Sequence, residues 1–192
     1  MLPVKFMAPS KPKKSKTRTH SHRRKQFIKA WLRAPLTMGA VIPSSRTLAR
    51  AMASRVDLRV DGAVIELGAG TGVVTHALLQ SGLAPERLFI IEREKKLHAM
   101  LADQYRALHV ICADAADLQE VLKDYKQPRI AAIVSSLPFL SMPSKIRSAI
   151  LHSMAEILAP GEVIVQFTYG MRSPLNRSEL RKYGISGKCV KT

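Results

Sequence analysis

Three glycines at alternate positions, Gly68, Gly70 and Gly72, stand in the run V-I-E-L-G-A-G-T-G at 64–72, with Ala69 between the first two and Glu66 just upstream. The apolar lead-in and the following V-V-T-H-A-L-L-Q-S-G predict a strand, a tight turn and a helix closed by Gly82. Such a turn lets a ligand approach bare backbone, with the first N–H groups of the helix aimed at it. The dinucleotide fingerprint spaces its glycines G-x-G-x-x-G; here the spacing is G-x-G-x-G. A nucleoside also needs acceptors for its hydroxyls and base. R-L-F-I-I-E (87–92) is a short apolar run ending in Glu92, twenty residues after Gly72. An acid at about that separation hydrogen-bonds ribose in nucleotide-binding α/β folds. H-V-I-C-A-D (109–114) predicts a third strand ending in Asp114, with Ala115 next. R-I-A-A-I-V-S-S-L-P-F (129–139) predicts a fourth, running into Ser136, Leu137, Pro138 and Phe139. Glu94 and Asp117 read as helix caps rather than ligands.

The intervening segments have the periods needed to position these residues. Ser44 or Ser45 suits the N-cap of a helix whose buried stripe is Leu48, Met52 and Val56, with Arg46, Arg50 and Arg55 outside. Residues 92–108 and 143–161 have helical periodicity. The second carries a stripe of Ile146, Ile150, Leu151, Met154 and Leu158 and closes at Pro160-Gly161. E-V-I-V-Q-F-T-Y (162–169) predicts a fifth strand ending in Tyr169, and I-S-G-K-C-V-K-T a sixth. Strands alternating with helices make an α/β domain with a mostly parallel sheet.

At 192 residues the chain suits one domain with a substantial core. It has no apolar run long enough to span a membrane and no secretory signal. Cys112, in a strand expected to be buried, and Cys189 are far apart, which fits a reducing compartment without disulfides. The six histidines show no ligand spacing, so no metal site is expected. Charge is uneven: of 31 Lys and Arg, 14 lie in residues 1–56, which contain no acid, leaving only +3 of the net +17 on the remainder. Such asymmetry suits a polyanionic partner, either nucleic acid or an anionic membrane surface. Residues 1–22 have the composition of a disordered basic tail. In R-R-K-Q-F-I-K-A-W-L-R (23–33), Phe27, Ile28, Trp31 and Leu32 form one helical face, and Arg24 stands among the flanking bases. That face fits an interfacial membrane helix, and equally a helix packed on its own domain. Residues 23–43 read as this helix and a loop across the ligand site, and 44–192 as the ligand-binding domain.

The run K-A-W-L-R-A-P-L-T-M-G-A-V-I-P-S-S-R-T-L-A-R-A-M-A, then V-I-E-L-G-A-G-T-G-V-V-T, and later S-S-L-P-F-L-S-M-P, resembles bacterial phospholipid N-methyltransferases over about residues 27–190. That family is similar in turn to the ribosomal RNA adenine dimethylases. The resemblance implies a Rossmann-like class I fold and S-adenosylmethionine (SAM) as cofactor. It implies methylation of phosphatidylethanolamine and its partly methylated forms towards phosphatidylcholine, at the inner face of the cytoplasmic membrane. It places Gly68, Ala69, Gly70 and Gly72 with Glu66 at the methionine part, Glu92 at the ribose, Asp114 and Ala115 at the adenine, and Ser44 in a loop over the site. Class I domains close with a C-terminal strand hairpin, which is incomplete here, so an open sheet edge is expected.

The fourth-strand motif separates the two families. Adenine N6 methyltransferases place Asn or Asp, then Pro, then an aromatic residue there, and the amide or carboxylate oxygen accepts from the adenine amino group. Here Ser136 stands at that place, with Pro138 and Phe139 retained. That favours a lipid amine over RNA; the alternatives are an RNA adenine N6-methyltransferase and, from the incomplete hairpin, a truncated non-catalytic membrane-binding remnant. The chemistry is an in-line displacement in which a neutral amine attacks a sulfonium methyl. Apolar Phe139 and Leu140 would disfavour the charged amine, and alignment does much of the rest. The backbone oxygen of Ser136 and the Tyr169 hydroxyl are candidate amine ligands; Tyr169 reads equally as a packing residue with its hydroxyl in water.

Overall fold

A computed structural model describes residues 2–8, 43–126, 128–168 and 177–191. The segment 23–33, expected to be helical, with Arg24, Phe27, Ile28, Trp31 and Leu32, and also Tyr169, lie outside the described residues. Seven strands form one sheet: β1 (Leu2–Ala8), β2 (Ala63–Leu67), β3 (Leu88–Ile91), β4 (His109–Ile111), β5 (Ile130–Ser135), β6 (Leu158–Phe167) and β7 (Ile185–Lys191). Their order is β4-β3-β2-β5-β6-β1-β7, and every pairing is parallel. The helices are α1 (Pro43–Ala53), α2 (Val73–Gln80), α3 (Lys95–Gln104), α4 (Leu118–Lys123), α5 (Ser144–Ile157) and α6 (Arg177–Lys182).

The central strands are continuous apolar runs because both faces are covered. On β2, Ile65 and Leu67 meet Leu118, Leu151 and Met154 on one side of the sheet. Val64 faces the other side, with Met52, Leu78 and Leu101. Glu66, on that second side, breaks the pattern. The entry to β2 is tied by Arg87, whose guanidinium donates to Gly62 O at 2.8 Å, Leu58 O at 3.1 Å and Val60 O.

The N-terminus departs from expectation. Leu2–Ala8, placed by composition in a disordered tail, form β1 between β6 and β7. A sheet edge offers a row of unpaired N–H and C=O groups to any extended segment. Pairing with β6 runs from Val4–Ile164 to Met7–Phe167, beginning one residue past Pro3, which has no N–H to give. β1 thus fills the place between β6 and β7, and β7 is the last strand at that end of the sheet.

Smaller differences have local causes. Ser44 and Ser45 lie in the first turn of α1 rather than ahead of it, since the helix starts at Pro43, a residue suited to the first helical position. α5 stops at Ile157, and Leu158 to Gly161 belong to β6 rather than to the helix. Ile146, expected in the buried stripe, is 42 % exposed. Cys112 falls just past β4 and is exposed.

Candidate active site

All three loop glycines take the left-handed conformation, with φ of 69° at Gly68, 59° at Gly70 and 80° at Gly72. Side chains disfavour that region. A Cβ on Gly68 would meet Leu137 Cδ2 at 2.7 Å, and one on Gly72 would meet Tyr105 Cε2 at 3.0 Å. A Cβ on Gly70 would meet nothing within 4 Å among the described residues. Gly68 and Gly72 are thus enclosed by protein, whereas Gly70 faces open space, where a ligand can lie against backbone. The Gly68 N–H donates to Ile91 O at 3.0 Å, and the Tyr105 hydroxyl donates to Gly72 O at 3.3 Å.

Glu66, expected among the cofactor ligands, is fully buried behind the loop. Its Oε2 accepts from Thr75 Oγ1 at 2.7 Å, which ties α2 to β2, and its Oε1 has no partner among the described residues. Burial pushes its carboxyl up to about 7; the charge of Glu92 adds to this and the Thr75 hydrogen bonds oppose it. Burial, and secondarily the nearby Glu66, also raise the Tyr105 hydroxyl.

Glu92 follows β3 directly. Its Oε2 accepts from the Gly70 N–H at 3.0 Å and its Oε1 from the Glu94 N–H at 2.9 Å. The carboxylate therefore grips the middle glycine of the loop. Each oxygen retains a lone pair for a further donor. Asp114, beyond β4, accepts from the Ala116 N–H at 3.0 Å and pairs with Arg93 at 3.0 Å. It caps the short turn that carries Ala115. Glu94 caps α3 through the Leu97 N–H at 2.9 Å, as its type suggests, whereas Asp117 makes no side-chain cap. The Leu118 N–H is taken instead by Ser153 Oγ at 2.9 Å.

The segment after β5 is held at several points. The Ser136 N–H donates to Leu67 O at 3.0 Å, and the Leu137 N–H to Ser135 Oγ at 3.3 Å. Leu137 O accepts from the Phe139 N–H and from Gln166 Nε2, each at 2.9 Å, and Phe139 O accepts from Arg147 at 3.3 Å. Phe139, expected to face an amine, is 2 % exposed and packs in the core with Ile65 and Met154; Leu140 beside it is 44 % exposed and turns outward. The structure thus gathers Gly68, Gly70, Gly72, Glu92 and Ser136 at the carboxyl ends of β2, β3 and β5, the usual ligand-binding edge of an open α/β sheet. Tyr105, Thr75 and Gln166 were not visible as site residues in the sequence. Each acts on a backbone or carboxyl oxygen distant in the chain, which leaves no local pattern.

No protein-family model matches the chain. Over 145 residues it is 26 % identical to a protein of Singulisphaera acidiphila named ornithine lipid N-methyltransferase, covering 74 % of this chain and 76 % of that one. It is 27 % identical over 108 residues to ribosomal RNA small subunit methyltransferase A of Hydrogenobaculum sp., covering 56 % of this chain and 40 % of that one. Among solved structures, the CcbJ methyltransferase of Streptomyces caelestis superposes with a TM-score of 0.51 at 19 % identity, over 66 % of this chain and 52 % of that one. The glycopeptide N-methyltransferase MtfA, solved with S-adenosyl-L-homocysteine, superposes with a TM-score of 0.50 at 17 % identity, over 77 % and 60 %. These superpositions speak for the fold. With the sheet order, the left-handed glycine loop and the acids beyond β3 and β4, they give the chain the Rossmann-like fold of class I SAM-dependent methyltransferases.

Proposed function

We propose that this protein transfers methyl groups from SAM to the primary amine of a membrane lipid. By resemblance that lipid is phosphatidylethanolamine, with its partly methylated forms, on the way to phosphatidylcholine. The Singulisphaera relative bears the name of an ornithine lipid enzyme, so the shared acceptor chemistry is a lipid headgroup amine. The observation that carries the reading is Ser136. At the place where adenine methylation calls for an amide or carboxylate, this chain has a hydroxyl, on a loop that touches the glycine turn through Leu137 and Gly68.

The residues fit the cofactor. Gly70 leaves its outer face clear, with Ala69 beside it, and Gly68 and Gly72 shape the turn, so this stretch would hold the methionine part. Glu92 would take the ribose hydroxyls while keeping its bond to Gly70. Asp114 and Ala115 would take the adenine. Glu66 would act from behind, through Thr75 and α2. Ser44, in the first turn of α1, would belong to the cover. Bound SAM supplies an electrophilic methyl group on a sulfonium. The backbone oxygen of Ser136 would orient the attacking amine, with Tyr169 as a second candidate. Pro138 and Phe139 would fix that oxygen: the one shapes the turn and the other anchors it in the core.

No helix among the described residues is long and apolar enough to cross a membrane. Contact with lipid would be peripheral, at an anionic surface on the inner face of the cytoplasmic membrane. Arg24 with Phe27, Ile28, Trp31 and Leu32 would supply it, supported by the exposed Leu140 and Ile146 on either side of exposed Lys145. The N-terminal charge and the relative named as a ribosomal RNA methyltransferase favour RNA as a second reading. Expression in a bacterium without methylated aminolipids tests the two. The lipid reading expects headgroups heavier by one to three methyl groups in the lipid mass spectrum, absent with Glu92→Ala. Unaltered lipids together with newly methylated adenine in ribosomal RNA would establish the second reading instead.

A further inference from the structure

Gln166 is fully buried near the end of β6, in a core that apolar residues would fill more readily. Its Nε2 donates to Leu137 O at 2.9 Å and to Phe167 O, while its Oε1 has no partner among the described residues. The two carbonyls fix the orientation of the amide, because turning it over would set Oε1 against two oxygens. A buried amide oxygen without a donor costs stability, and an apolar side chain of the same length would avoid that cost.

What the amide does is hold one carbonyl. Pro138 has φ −82° and ψ 63°, and the Phe139 N–H donates to Leu137 O at 2.9 Å. These values describe an inverse γ-turn, a three-residue turn with a single short-range hydrogen bond. Gln166 grips the accepting oxygen of that turn from the neighbouring strand. The Leu137 side chain, on the same residue, lies against Gly68. One amide thus restrains both the turn that carries the acceptor loop and the side chain that abuts the cofactor loop.

We propose that Gln166 is a positioning residue for methyl transfer: by holding the Leu137 carbonyl it sets the Pro138 turn where in-line attack is aligned, and the chain tolerates an unpaired amide oxygen to keep it. The proposal rests on reading residues 136–139 as the acceptor loop. Displacement at a methyl group is sensitive to alignment, and small misplacements lower the rate steeply.

The test is Gln166→Met in the full chain, which preserves length and removes the donor. Four quantities are read: kcat with labelled SAM and phosphatidylethanolamine liposomes, Kd for SAM by calorimetry, Tm, and hydrogen exchange at the Phe139 amide. The expected result is a kcat lower by about tenfold or more, SAM Kd within about twofold, Tm equal or higher, and faster exchange at Phe139. An unchanged kcat overturns the proposal. So does a variant that melts well below the wild type or does not fold, because Gln166 would then serve the fold itself. A wild type that methylates no lipid amine would contradict the lipid reading, and exchange at Phe139 still judges Gln166: unchanged protection overturns it, and lost protection upholds its hold on the turn.

Discussion

Leu137 lies against Gly68, its Cδ2 2.7 Å from the point where a Cβ on that glycine would sit. The glycine loop after β2 and the 136–139 loop after β5 are therefore in contact through one side chain and one bare Cα. The pairing of β2 with β5, from Ala63–Ile130 to Leu67–Ser135, delivers the two loops side by side. A class I site needs these two loops in fixed relation, and here packing fixes it.

Alanine at Gly68 should be harmful twice over, by backbone strain of about 1–3 kcal/mol and by collision with Leu137. Adding Leu137→Ala should restore part of the stability, so that the two changes are not additive. Alanine at Gly70 carries the strain alone, about 1–2 kcal/mol, since its Cβ would enter open space. Its main effect should be on SAM affinity, measured by calorimetry beside urea unfolding. Equal stability losses at both glycines would contradict this account of the loop.

Glu66 should make stability depend on pH in an unusual direction for a carboxylate. Its folded pKa, pushed up to about 7 from 4.5, means that the folded chain keeps a proton which the unfolded chain releases. The stabilising contribution is complete below the unfolded value and is lost as pH rises through about 7. Glu66→Gln retains an acceptor for Thr75 and has no proton to lose. Wild-type stability relative to this variant should fall by about 3 kcal/mol between pH ~4.5 and ~8. Urea unfolding of both proteins at the two pH values measures the gap, and a constant gap would show that burial leaves the Glu66 carboxyl at its unfolded value.

Glu92 grips Gly70 and is the proposed ribose ligand. Glu92→Ala should weaken SAM binding by about tenfold or more, with a stability loss of about 1.5–3 kcal/mol from two charge-assisted hydrogen bonds. Calorimetry and urea unfolding separate the two effects. An unchanged SAM affinity would remove Glu92 from the site.

The membrane reading of residues 23–33 is tested by replacing Phe27 and Trp31 together with alanine. Co-sedimentation with anionic liposomes should fall severalfold while SAM affinity stays within about twofold. Equal losses in both would make that segment part of the domain core.

The sequence is most informative where function constrains the backbone locally. A loop that needs positive φ at Gly68, Gly70 and Gly72 must be written in glycine, and a strand end that must present an acid writes Glu92 or Asp114, so these could be read directly. Contacts between distant segments leave no such trace. Nothing in L-P-V-K-F-M-A marks it as a strand; that is decided by the edge β6 offers, which lies far along the chain. Gln166 sits in an ordinary strand pattern, and its importance comes from a carbonyl 29 residues away. At the α5–β6 boundary Pro160-Gly161 reads as a helix stop, but the sheet already claims Leu158. Phe139 looks like a substrate contact beside a proline, but the core beneath β5 takes it.

The measurement closest to the central claim is a competition assay. Purified protein receives labelled SAM, with phosphatidylethanolamine liposomes, ornithine lipid liposomes and ribosomal RNA together in one reaction. The account predicts label in the lipid fraction, as methylated headgroup amine, and none in RNA. The lipid that is labelled identifies the headgroup. Label in adenine of the RNA, with unlabelled lipid, would contradict it and would mean that Ser136 does not exclude a base.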